Sequence, residues 1–416
     1  MNRALWLGCA VWLLGCPAVI SGTDGGSGGG SATGGGGGAT TGGGAATGGG
    51  SATGGGGVIA ANPRLQNLAD NTALDLGDFI CTDPGDQNCV RATDYSGFTL
   101  DTTHHQFLMF GGGHSTTMTD TVFAFDLADT LTWKELYPPT PCSQMVLSNL
   151  DDTLGAWKAG AGGPYPRPLS IHSYDGLTWV PGTDALVLLS RMFTGGYCNT
   201  VGNDVGGPIA HFDPVAKTWT FTTASALSNT NIDATEYDPT SGKIVIFGRS
   251  GLSLYDAATK TRTVYVDTFN GETLKTTGGQ DADFAPLSYA NDLVYFPPND
   301  TFYYFVRGAP VGVFALKLNR AMPKNSTLDA LVTPGPTSDL QDPSYAYDSR
   351  NQVIGGAVTA GLFHVFDPMT STWTTRTVQG GNVGSQSFLA LGYDPLNNVF
   401  VFVTDDRKTW AYRLKN

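Results

Sequence analysis

A strand, a tight turn and a second strand recur six times along this chain, and this repeat constrains the fold more than any other feature. The paired segments are Phe98–Asp101 with Phe107–Phe110, Leu177–Val180 with Leu186–Leu189, and Ala234–Asp238 with Ile244–Phe247. They continue as Leu293–Phe296 with Phe302–Phe305, Tyr345–Asp348 with Gln352–Ile354, and Leu389–Asp394 with Val399–Phe402. Each is rich in β-branched or aromatic residues and bounded by turn formers, which is hairpin chemistry. Further strands follow: Val122–Asp126 leads to Trp133, His211–Asp213 to Trp219, Leu254–Asp256 to Thr263–Val266, and Phe363–Asp367 to Trp373. Four short strands per unit without an amphipathic helix predict an all-β, six-bladed β-propeller with four-stranded antiparallel blades, in which radial repetition protects the sheet edges. The last unit ends after three strands, at Thr409–Leu414. Its fourth is expected from the N-terminal side, at Thr72–Leu76. A seven-bladed alternative would need a blade within residues 58–94, which hold too few apolar strands.

Phe110-Gly-Gly-Gly113 after an apolar strand, the recurrent Phe-Asp…Trp, and Pro166-Arg167 followed by His172 resemble the kelch repeat. The resemblance spans about residues 98–414 and implies a kelch-like, galactose-oxidase-type propeller. Galactose oxidase itself needs a copper centre with a Tyr–Cys crosslink, and no such set assembles here.

The N-terminus predicts export. Arg3 precedes an apolar run, Ala4–Leu14, too short to span a bilayer comfortably. Leu13-Leu14-Gly15-Cys16 resembles a bacterial lipobox, implying a signal peptide over residues 1–15 and lipidation of Cys16. Pro17 follows, so an outer-membrane or cell-surface location is expected. Residues 21–57 are Gly, Ser, Ala and Thr with one Asp24, a composition with almost nothing to bury. Residues 16–57 are therefore read as a disordered tether, whose glycine-rich part reaches roughly 30–40 Å, and residues 58–416 as the propeller domain. Cys9 and Cys16 belong to the leader. Among the other four cysteines, proximity favours Cys81–Cys89, leaving Cys142–Cys198, and other pairings stay open.

The formal net charge is −13, which opposes nucleic acid and anionic lipid. No nucleic-acid partner is expected, membrane contact is expected only through the anchor, and the domain reads as a monomer. Against that charge, Arg191, Arg249 and Arg307 each stand five positions after the start of a second strand. Equivalent places in adjacent blades would set three guanidinium groups in an arc on the face of the b–c and d–a loops, suited to a carboxylate, sulfate or phosphate. His114, Tyr197 and the long 137–168 connection are expected on that face. His172, Tyr174, His114 and Arg191 are similar to the active-site set of ulvan-lyase-type propeller lyases. The resemblance implies Tyr174 as base or acid, His172 and His114 as base or charge neutraliser, and Arg191 on the uronate carboxylate. A further histidine on the first strand is missing. The expected function is thus a displayed propeller that binds an anionic glycan or a protein, with β-elimination on a uronate polysaccharide as the alternative. No cofactor or catalytic metal is expected; Asp281 and Asp283 are the only hint of a structural calcium site.

Overall fold

The computed structural model describes residues 59–80, 95–111, 119–151, 153–171, 173–189, 209–222, 233–284, 291–306, 312–331 and 344–416. Apart from the one-turn helix α1 (Pro63–Gln66) and short 3-10 turns, the described elements are strands. Six antiparallel sheets have four strands each. The first holds β2 (Phe98–Asp101), β3 (Gln106–Phe110), β4 (Val122–Asp126) and β5 (Trp133–Glu135). The second holds β9 (Leu177–Val180), β10 (Ala185–Leu188), β11 (Ala210–Asp213) and β12 (Thr218–Phe221). The third holds β13 (Ala234–Asp238), β14 (Lys243–Gly248), β15 (Gly251–Asp256) and β16 (Thr261–Asp267). The fourth holds β17 (Asp292–Phe296), β18 (Thr301–Val306), β19 (Gly312–Lys317) and β20 (Thr327–Leu331). The fifth holds β21 (Tyr345–Asp348), β22 (Val353–Thr359), β23 (Leu362–Asp367) and β24 (Thr372–Thr377). The sixth joins β25 (Gln386–Asp394), β26 (Val399–Thr404) and β27 (Lys408–Arg413) to β1 (Thr72–Asp78).

The recurrent aspartates explain why the turns form. Asp101, Asp348 and Asp394 end first strands, are fully buried, and accept backbone N–H bonds from the residues two and three positions on. Asp238 caps its turn through Thr240 N–H and the Ser241 hydroxyl. Asp213, Asp256 and Asp367 repeat the pattern at the ends of third strands. This side-chain capping is the local device by which Asp starts a turn. Four residues after the aspartate the chain turns left-handed, at His105, Lys217, Gly242, Lys260, Gln352, Ser371 and Asn398. The Phe-Asp…Trp signature is a cross-strand pair next to this turn. Phe125 faces Trp133, Phe212 faces Trp219 and Phe366 faces Trp373, with ring centroids 5.2, 5.0 and 5.0 Å apart.

The inner strands β2, β9, β13, β17, β21 and β25 touch in that order, and β25 returns to β2. The buried apolar residues follow the same cycle: every adjacent pair of sheets shares one core cluster, and the sixth sheet shares one with the first. The architecture is all-β and propeller-like. The strand expected from the N-terminal side is present, with Thr72 opposite Arg413 and Leu74 opposite Ala411. Arg413, only 2 % exposed, locks this join by donating to the carbonyls of Leu65 and Asn397 at 2.7 and 2.9 Å.

The long connection after the first sheet is more than a loop. It carries a small three-stranded sheet, β6 (Leu150–Asp151), β7 (Ala156–Trp157) and β8 (Arg167–Pro168). Met145, Leu150, Trp157 and Ala161 are buried in the core shared by the first two sheets, so apolar burial holds this segment down. Arg167 of the kelch-like Pro-Arg pair is structural. It is 7 % exposed, lies 4.6 Å over the Tyr137 ring, and donates to the carbonyls of Pro138, at 2.7 Å, and Gly162.

Candidate functional site

The inner strand of each sheet shows one unpaired backbone edge to the axis, so its N–H groups need acceptors from elsewhere. Side chains of neighbouring sheets supply them. Thr99 Oγ1 accepts from Trp179 N–H at 3.1 Å, and Ser173 Oγ accepts from Gly97 N–H at 2.7 Å. Asp175 reaches across to two further sheets, accepting from Thr235 N–H at 3.1 Å and Leu293 N–H at 3.2 Å. Asp292 accepts from Tyr345 N–H.

These carboxyls line an axial cavity of about 340 Å3 to which all six inner strands contribute. Glu236 joins them, and among the described residues its carboxyl has no hydrogen-bond partner. Among the described residues that line the cavity, none is Lys, Arg or His. Loss of bulk water opposes ionisation, and the carboxyls repel one another. Burial first, then the charges of Asp292 and Glu236, hold Asp175 well above the usual carboxylate range. Burial and then Asp292 do the same to Glu236, and burial lifts Asp292 to about 7. The cavity therefore carries protons at a pH where an exposed carboxyl would not.

The cavity extends to the turns between first and second strands, where Thr102, Pro181, Pro239 and Pro297 line it. An aromatic residue stands at the rung before that turn in five sheets: Trp179 opposite Leu186, Tyr237 opposite Ile244, Tyr295 opposite Phe302, Tyr347 opposite Ile354 and Tyr393 opposite Phe400. Tyr237, Tyr295 and Tyr347 are partly exposed, while Trp179 and Tyr393 are buried. Tyr295 and Tyr393 are oriented by hydrogen bonds from their hydroxyls to Asp300 and Asn398, both 2.9 Å. The result is a concave, partly aromatic mouth above hydroxyl and carboxyl groups, the composition of a small-ligand pocket.

This pocket lies on the opposite face from the one favoured by the sequence. Of the residues singled out there, His114, His172, Arg191, Tyr197, Arg307, Cys16, Cys81, Cys89 and Cys198 lie outside the described residues. Arg249 is described and exposed in the turn between β14 and β15, with no ion-pair partner among the described residues. Tyr174 is 8 % exposed, adopts a φ of 44°, and packs its ring 5.3 Å from that of Tyr95. Its N–H bonds the Tyr95 carbonyl at 2.9 Å. Cys142 is disulfide-bonded. Asp281 is paired with Lys275 and accepts from the Thr273 hydroxyl.

Asp101, His104 and Asp184 bring ligand atoms within 4.8 Å of one another, so they have the reach to hold a cation. Asp101, however, already caps its turn, bonds His104 Nδ1 at 2.8 Å and accepts from Gln106 at 2.8 Å. Its counterparts Asp238, Asp348 and Asp394 perform the same capping.

The axial carboxyls were missed by the sequence reading. Glu236 gave a usable signal, as a charged residue between the buried Thr235 and the turn-forming Tyr237-Asp238. Asp175 and Asp292 gave none, because each lies at or before a strand start, where Asp is ordinary.

No family model matches the chain, and no curated protein matches it either. Among solved structures, the chain is similar to a structural genomics protein of unknown function from Bacteroides thetaiotaomicron, with 9% identity and a TM-score of 0.48, covering 82% of this chain and 75% of that one.

Proposed function

We propose that this chain is an exported, lipid-anchored six-bladed propeller that binds a neutral glycan at the axial mouth. The observation carrying this reading is the set of aromatic residues at equivalent rungs around one cavity, with hydroxyl and carboxyl groups beneath. Aromatic faces match the apolar faces of sugar rings, and a few polar groups then fix orientation. The six-bladed reading rests on the cyclic inner-strand contacts and the six shared cores. The small β6–β8 sheet touches outer strand β12 and contributes no inner strand to that cycle. Anchoring through Cys16 and display at a cell surface rest on the leader and the glycine-rich tether.

The test is equilibrium binding to an array holding cello-, xylo-, malto- and chito-oligosaccharides beside uronate and sulfated glycans. Neutral oligosaccharides should bind, and Tyr295→Ala and Tyr347→Ala should each weaken binding at least tenfold. Binding untouched by both substitutions would overturn the axial site.

A second reading keeps the opposite face and an anionic glycan held by Arg191, Arg249 and Arg307. Arg249, exposed and without an ion-pair partner among the described residues, favours it. Uronate or sulfated glycans should then bind, and the triple alanine variant should lose them. Unsaturated uronate released from a polysaccharide would instead support the lyase alternative.

A further inference from the structure

We propose that the axial pocket is proton-gated: it accepts an uncharged polyhydroxy ligand while its carboxyls are protonated, and expels it once they ionise. This rests on the axial-mouth reading above and names its regulation. Three sheets each bring one carboxyl to a single cavity: Asp175 from the second, Glu236 from the third and Asp292 from the fourth. Asp175 and Asp292 accept backbone N–H groups, so their positions are fixed by the fold rather than by a mobile side chain. Glu236 alone has no hydrogen-bond partner among the described residues, so its proton is free to be offered to a ligand oxygen. A protonated carboxyl donates one hydrogen bond; an ionised one only accepts.

Among the described residues, the surroundings supply no compensating cation. Beside Glu236 on β13 stands Tyr237; β17 adds Tyr295, β21 adds Tyr345 and Tyr347, and β25 adds Tyr393. The β2 residues at the cavity are Phe98, Thr99 and Leu100, none of which titrates. Behind the wall, Tyr304 of β18 feels the charges of Asp233 and Asp175, and Tyr345 feels Asp292. Arg249 and Arg262 act on Asp233, a separate buried carboxyl bonded to Ser250. Charge formed in the pocket is therefore met by like charge, and the carboxyls titrate as one interacting set. On ionisation the proton leaves to solvent and the pocket loses a donor while gaining a charge that a neutral sugar does not offset.

The test uses the full-length chain and two readouts. Infrared titration from pH 4 to 9 should show a carboxylic C=O band that persists at pH 6 and disappears by pH 9. Glu236→Gln and Asp175→Asn should each diminish it. Cellohexaose and xylohexaose affinity should fall about tenfold per pH unit for each coupled proton across that range, and Glu236→Gln should flatten this slope. A missing band above pH 5, or a band unchanged in both variants, overturns the proposal. Sugar binding of equal strength at pH 5 and pH 8 overturns the gating while leaving the axial site standing. Absence of sugar binding at every pH removes the axial-site reading and the gating with it, whatever the infrared titration shows.

Discussion

Replacing Asp292 by asparagine should make the protein more stable at pH 8 and slightly less stable at pH 4. Burial lifts this carboxyl from 3.8 to about 7. A raised acid pKa means that the folded state holds a proton the unfolded chain has released. Asp292 thus costs nothing below about pH 4, and its cost grows as pH rises and is complete above about 7. A shift of about 3 units corresponds to about 4 kcal/mol. Asparagine keeps an acceptor for Tyr345 N–H but places a new N–H2 donor in the wall of the cavity, at a cost of about 1 kcal/mol. The net expectation is a gain of about 3 kcal/mol at pH 8 and a loss of about 1 kcal/mol at pH 4. Urea unfolding followed by tryptophan fluorescence at pH 4, 6 and 8 measures both. A difference between variant and wild type that stays constant over this range would refute the reasoning, because it would mean that Asp292 titrates alike in both states.

Three further expectations can be checked by the same unfolding measurement. Arg413→Met removes the donor to two buried carbonyls at the join between the chain's ends and should cost about 3 kcal/mol; a loss under 1 kcal/mol would show that β1 pairing alone holds the join. Gly392→Ala places a Cβ against the Phe107 ring and should destabilise by about 2 kcal/mol or more, with wild-type stability meaning that the sixth and first sheets shift apart freely. Arg320→Ala removes a bridge from Asp238, at 2.8 Å, to Asp300, at 2.6 Å, across the third and fourth sheets; the expected loss is about 1–2 kcal/mol, largely retained in high salt because Asp238 is buried.

The repeat was legible because each of its parts is local. Asp, two or three turn residues and a left-handed position are decided within five residues, as at Asp348 to Gln352. The Phe-Asp…Trp pairs are equally short in range, since they meet across one turn. The closing strand was legible by subtraction, because three strands at Leu389–Leu414 leave an edge to be covered. The small sheet inside the 137–168 segment was not legible, for the opposite reason. Its apolar residues Met145, Leu150 and Trp157 are spaced without strand periodicity, and only the wedge between two sheets gives them a common place to bury.

The sequence by itself therefore determined the strands, their turns and their order, because those follow from side chains close along the chain. Only the tertiary structure decided what lies on the axis. Asp175, Glu236 and Asp292 come from segments up to 117 residues apart in sequence, and they meet because the ring of inner strands brings unpaired N–H edges to one line. The chemistry of that pocket, three buried carboxyls with no cation among the described lining residues, is a property of their proximity and not of any one residue.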